Sequence, residues 1–153
     1  MYRIIIQQAT DNVFVPAASL LRKWAKQALS EQLPAAEMTI RIVDAEEMTA
    51  LNSTYRHKNG PTNVLSFPFE MPEHIPTTQT ILGDIVICAE VVNREAQEQH
   101  KQPKAHWAHM IVHGVFHLLN YDHETDAEAA VMEALEVKTL RHLGFEDPYH
   151  ESP

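Results

Sequence analysis

His113-Gly114-Val115-Phe116-His117-Leu118-Leu119-Asn120-Tyr121-Asp122-His123 carries three histidines at i, i+4 and i+10. On a helix a four-residue step turns about 400°, so His113 and His117 share one face a turn apart. A continuous helix would leave His123 about 9 Å beyond His117 along the axis. The chain therefore has to leave the helix and fold back inside this stretch. Asn120 falls in the gap, and after glycine it is among the residues that best tolerate the left-handed conformation ending a helix. The expectation is a helix, a turn and three converging imidazoles. Ring nitrogens about 2.0–2.1 Å from a zinc ion would hold it with one position open, an arrangement that is catalytic more often than structural.

The three ligand positions coincide with those of the extended zinc-protease motif H-E-x-x-H-x-x-G-x-x-H. The Glu that serves proteases as general base is replaced here by Gly114, and the turn glycine by Asn120. The ligands are those of a zinc hydrolase, but the base for peptide cleavage is missing. That points to a different substrate.

Working outward, the spacing predicts a central helix over Lys104–Leu119 with Trp107, Met110, Ile111, Val115 and Leu118 as core. Helices are also predicted over Glu90–Gln99 and Thr125–Leu143, the last capped by Gly144. Upstream, Tyr2–Gln8 (YRIIIQQ) reads as a strand. Pro16 opens a helix to about Leu29, with Leu20, Leu21, Trp24 and Leu29 on its buried side. Met38–Asp44 alternates as a strand does, and Asp44 is placed to cap a helix over Ala45–Tyr55. Asn59-Gly60-Pro61 breaks the chain. Asn63–Glu70 reads as a strand whose Pro68 belongs at an edge or an end. Met71–Thr80, with two prolines and three threonines, reads as a loop. Ile81–Ala89 is a nearly all-apolar strand, expected to be buried on both faces. The order implies an α+β fold, with one mixed four-stranded sheet and about five helices in a single domain spanning residues 1–153.

Composition sets the outer bounds. One cysteine, Cys88, excludes an internal disulfide and a cysteine-based zinc site, and fits a reducing compartment. The apolar run at the N-terminus is too short for a signal peptide or a membrane span, so a cytoplasmic protein is expected. A net charge of −9 weighs against non-specific nucleic-acid binding. Positive charge is nevertheless clustered at Arg22, Lys23 and Lys26, at Arg56, His57 and Lys58, and at Arg94, Lys101 and Lys104. Acid gathers after the histidine motif at Glu124, Asp126, Glu128, Glu133 and Glu136, and solvated helix faces account for such clusters.

Several single residues are open to two readings. His109 steps back one turn from His113, and three ligands with an open position already satisfy zinc. It is therefore read as support for a ligand or as packing. Asp122 could orient a ligand ring or simply shape the turn. Glu124 could act as a base or begin the next helix. Asp84, bracketed by apolar residues beside Gly83, is a wall of the site or an ordinary strand residue. Arg56, after a predicted helix and before a chain break, is a phosphate-binding fork or a surface arginine favoured by the helix dipole.

Taken with three further blocks, the histidine stretch resembles the YbeY family, bacterial endoribonucleases and ribosomal RNA maturation factors with the signature H-G-x-L-H-L-x-G-Y-D-H. The further blocks are Leu51-Asn52 to Tyr55-Arg56 followed by Pro61–Phe69, Leu82–Cys88, and His106-Trp107-Ala108-His109. The departures are Phe116 for Leu and Asn120 for Gly, and neither removes a ligand. The resemblance implies a compact zincin-like α+β domain in which His113, His117 and His123 bind one Zn2+ ion and Arg56 is the site arginine. It implies cleavage of single-stranded RNA, linked to the 3′ end of small-subunit rRNA and to ribosome quality control. Ribosomes and ribosome-associated proteins would be its partners, with no membrane involved. The metal would polarise a phosphoryl oxygen or activate water, and Arg56 would offset charge in the transition state. Two rivals use the same residues: a metalloprotease or amidohydrolase, and a non-catalytic assembly factor with a structural zinc.

Overall fold

The computed structural model of the chain describes residues 1–69 and 80–149. The loop expected over Met71–Thr80 lies outside these residues except for Thr80, as does Glu70 at the end of an expected strand. The elements in order are β1 (Tyr2–Gln8), α1 (Ala18–Ser30), β2 (Ala36–Val43), α2 (Ala45–Arg56), β3 (Val64–Pro68), β4 (Ile81–Cys88), α3 (Ala89–Glu98), α4 (Pro103–Leu118) and α5 (Asp126–His142). The sheet is mixed and four-stranded, in the order β1-β2-β4-β3. β1, β2 and β4 run parallel, and β3 pairs antiparallel with β4 at an edge. Pro68 ends that edge strand, where its missing N–H leaves no interior ladder bond unmade.

Local chemistry accounts for most boundaries. Asp44 caps α2, its Oδ1 accepting from the Glu47 N–H at 2.9 Å. Pro103 opens α4, at a position where the N–H that proline lacks would have had no intrahelical partner. α1 begins two residues after Pro16, and Leu21, Trp24, Ala25, Ala28 and Leu29 are its buried side; Leu20 is only partly covered. Gly144 at φ 90° ends α5. Its N–H bonds Arg141 O at 3.0 Å and the Phe145 N–H bonds Leu140 O at 2.9 Å, the paired bonds of a Schellman turn.

β4 is covered on both faces, as its apolar run leads one to expect. Ile85 and Ile87 join the larger core with residues of α1 and α4, while Val86 and Cys88 join a smaller one with Met48 of α2. α4 runs through the middle of the larger core, and Trp107, Ala108, Ile111, Val112, Val115 and Phe116 are fully buried. Gly114 lets α4 press onto the sheet, since a Cβ there would lie 3.1 Å from Ile85 Cγ2 and 3.3 Å from Val64 Cγ2. The C-terminal end of α4 thus lies beside the edge strand β3. No helix among the described residues is long and apolar enough to cross a membrane.

Candidate metal centre

Asn120 does what the histidine spacing requires. It adopts φ 73°, just past the end of α4. Its N–H bonds His117 O and the Tyr121 N–H bonds Phe116 O, each at 3.0 Å, so the turn closes as a second Schellman motif. The Tyr121 ring meets Phe116 edge-on at 5.7 Å and supplies the apolar contact typical of that turn. The chain doubles back and brings His123 to 5.1 Å from His117 and 5.7 Å from His113, measured between ring centres.

One ring nitrogen from each of the three lies within 4.8 Å of the others, and His113 Nε2 is 3.1 Å from His117 Nε2. A tetrahedral ion bound at about 2.0–2.1 Å holds its ligand nitrogens about 3.3 Å apart. The donor set therefore fits one such ion. Burial, with the charges of His113 and His123 beside it, pushes the His117 pKa down. That favours the neutral ring, which is the ligand form.

Behind the triad sits a group that the sequence reading placed among solvated acids. Glu136 of α5 is fully buried, not solvated. It meets His113 Nδ1 at 3.2 Å, His109 Nε2 at 2.6 Å and the Tyr149 hydroxyl at 2.7 Å. Burial alone would raise its pKa, but the hydrogen bonds and charges of His109 and His113 outweigh that and hold it at about 2. Burial and Glu136 push the Tyr149 hydroxyl up, so it stays protonated and donates. Burial lowers His109 despite the opposing pull of Glu136. His109 therefore stands one turn behind the triad, against Glu136, and not in the triad itself. His109, His113 and Glu136 also come close enough to surround an ion, but His109 Nε2 and His113 Nδ1 are already taken up by the two Glu136 oxygens. Glu136 had one signal in the sequence: it falls at four-residue steps between Met132 and Leu140, both buried.

The triad opens into a cleft of about 720 Å³ walled by the end of α2, by residues 62–66 and by residues 120–124. Arg56 and Lys58 both line it, so one of the three basic clusters reaches the histidines. Arg56 Nη2 donates to Ser66 O at 3.2 Å, and Ser66 Oγ donates to Gly114 O at 3.0 Å. These two bonds tie the arginine, the edge strand and α4 together. Asp122 shapes the turn, its Oδ1 accepting from the His123 N–H at 2.7 Å. Glu124 lines the cleft, and it is Thr125 that caps α5, accepting from the Glu128 N–H at 3.1 Å.

Asp84 is not brought to this cleft. It alternates along β4 with Ile85, which packs under α4, so it points to the opposite face of the sheet. There it lines a separate hollow of about 280 Å³ with Thr39 and Phe67. Its neighbour Gly83 does mark a close backbone approach: at φ 132°, a Cβ would lie 2.1 Å from Phe67 O.

The family model for Endoribonuclease YbeY matches residues 5–144. An Endoribonuclease YbeY from Methylococcus capsulatus is 56% identical, covering 99% of this chain and 97% of the relative. One from Nitrosococcus oceani is 51% identical, with 94% of each chain covered. One from Alcanivorax borkumensis is 53% identical over 94% of this chain and 84% of its own. Among solved structures, the solution structure of TM1509 from Thermotoga maritima superposes with a TM-score of 0.61. It is 22% identical, covers 98% of this chain and 99% of its own, and so shares the fold.

Proposed function

The chain belongs to the Endoribonuclease YbeY family, and from that premise we propose a zinc-dependent endoribonuclease that cuts single-stranded RNA, with the 3′ end of small-subunit rRNA as its substrate. The observation that carries the reading is the convergence of His113, His117 and His123 in one cleft with Arg56. The ion, when bound, supplies Lewis acidity to a phosphodiester oxygen or to water. Arg56 binds the phosphate and offsets the charge that builds on it; Ser66 O holds one of its N–H groups and steadies the fork. Lys58 adds a second positive charge to the same wall.

With a net charge of −9, two cations in the cleft give little general affinity for RNA. This supports a role on the ribosome, where a ribosomal or protein partner delivers the strand, and with it a part in ribosome quality control. The protease rival lacks the glutamate that follows the first ligand, and a side chain at Gly114 would press on Ile85 and Val64 at 3.1 and 3.3 Å.

The test is cleavage of a labelled single-stranded rRNA 3′-end fragment by wild type, His117→Ala and Arg56→Ala, with bound metal quantified in each. His117→Ala is expected to lose metal and cleavage together. Arg56→Ala is expected to keep its metal and lose about 10²–10³-fold in rate. A 2′,3′-cyclic phosphate on the product would identify the RNA 2′-hydroxyl as nucleophile. Equal cleavage by all three proteins defeats the nuclease reading and leaves the assembly factor with a structural zinc.

A further inference from the structure

We propose that Glu136, anchored by Tyr149 and His109, is a positioning residue that holds His113 as the tautomer able to bind the metal. The inference rests on the reading of the three histidines as a metal centre and adds what sets that centre up. Glu136 has no exposed surface, and a carboxylate taken out of water persists only with partners. It has three, His113 Nδ1, His109 Nε2 and the Tyr149 hydroxyl, at 3.2, 2.6 and 2.7 Å. An ionised carboxylate only accepts, so each partner must donate.

The consequence falls on His113. Its proton resides on Nδ1, which leaves the lone pair on Nε2. Nε2 is the atom that faces His117 Nε2 at 3.1 Å. The ring is thus oriented, and its tautomer chosen, before any ion arrives. Among the described residues no carboxylate hydrogen bond of this kind reaches the ring of His117 or of His123, so His113 is the anchored member of the triad.

Tyr149 brings the C-terminal segment into the arrangement. After Gly144 the chain returns toward α4, and Lys101 Nζ donates to Pro148 O at 2.9 Å. The Tyr149 N–H bonds Asp147 Oδ1 at 2.8 Å, and its ring stands edge-on to His109 at 5.2 Å. The hydroxyl is thereby held on Glu136 Oε1, while His113 Nδ1 meets Oε2. Metal affinity should then depend on a tyrosine that touches no ligand.

The experiment is metal competition against a chromophoric chelator, with zinc alone as the probe and no RNA present. Wild type is compared with Glu136→Gln, Tyr149→Phe and His117→Ala, with folding checked by near-UV circular dichroism. Glu136→Gln is expected to bind zinc about 10–100-fold more weakly, and Tyr149→Phe several-fold more weakly. Nitrogen-15 NMR of the metal-free proteins should show His113 protonated on Nδ1 in wild type and a tautomer mixture in both variants. A role confined to stability would move neither readout. Wild-type affinity in folded Glu136→Gln overturns the proposal. If that variant does not fold, wild-type affinity and an unchanged His113 tautomer in Tyr149→Phe overturn it. Two zinc ions per wild-type chain, one of them lost in Glu136→Gln, would make Glu136 a ligand and overturn it too. Zinc binding by His117→Ala equal to wild type would instead sink the metal centre itself.

Discussion

At the scale of single residues, Asn120 couples the end of a helix to the third ligand. A left-handed conformation costs an ordinary L-residue roughly 1–2 kcal/mol, and Asn less because its short amide bonds the local backbone. Its φ of 73° is what turns the chain after His117 and returns His123. Asn120→Ala is expected to lose about 1 kcal/mol of stability and to bind metal more weakly. Asn120→Gly should keep both properties, since glycine carries no penalty there. Urea titration and chelator competition on the two variants check this. An alanine variant equal to wild type in both would show that the turn does not govern ligand placement.

At the scale of elements, the edge strand β3 is what makes a cleft out of a cluster of histidines. It contributes Val64 and Ser66 to the wall and receives Arg56 on the Ser66 carbonyl. Its place is set on one side by Ser66 Oγ bonded to Gly114 O and on the other by its pairing with β4. Gly83 allows that pairing, because a Cβ there would lie 2.1 Å from Phe67 O and 2.8 Å from Phe69 N. Both neighbours are backbone and cannot swing away. Gly83→Ala is expected to cost roughly 3 kcal/mol or more through this clash and the positive φ. It should also reduce RNA cleavage more than metal binding, because it moves the Arg56 wall and leaves α4 in place. Amide exchange at Leu65 and Phe67 with a denaturant titration measures the first effect, and cleavage and chelator-competition assays the second. Wild-type protection and stability would mean that the pairing of β3 with β4 accommodates a Cβ at position 83.

At the scale of the whole molecule, Glu95 joins three elements. Its carboxylate on α3 accepts from Asn63 Nδ2 at 3.1 and 3.2 Å, at the head of β3, and meets His106 Nε2 of α4 at 3.0 Å. Burial raises the Glu95 pKa, but the His106 and Asn63 hydrogen bonds and the nearby positive charge outweigh it, and the result lies below the usual carboxylate value. A carboxyl depressed in the folded state stabilises the fold at pH values above its unfolded pKa, about 4.3. That contribution shrinks as pH falls below about 4.3 and is gone below the folded value. The metal-free protein should therefore lose stability on acidification through this window, and Glu95→Gln should show a flatter dependence. Denaturant titrations at a series of pH values test it. Parallel curves for the two proteins would show that the clamp contributes nothing.

Within the chain, what was legible is what short-range physics dictates. The four-residue step of His113 and His117, the left-handed Asn120, the Asp44 cap, the Gly144 stop and the two-sided burial of Ile81–Cys88 all lie inside windows of a dozen residues or fewer. Each follows from backbone geometry or from alternation along one element. The strand order, the face to which Asp84 points and the walls of the cleft did not follow, because they depend on how elements pack. Glu136 reaches His109 across 27 residues, Tyr149 reaches it across 40, and Ser66 reaches Gly114 across 48. No local periodicity encodes those distances, and an acid on a helix looks alike in sequence whether it faces water or a histidine. Local spacing was enough to name three side chains that can meet around an ion. Tertiary packing decided which carboxylate stands behind them and what walls the cleft before them, because only burial and proximity across the fold distinguish those residues from their solvated neighbours.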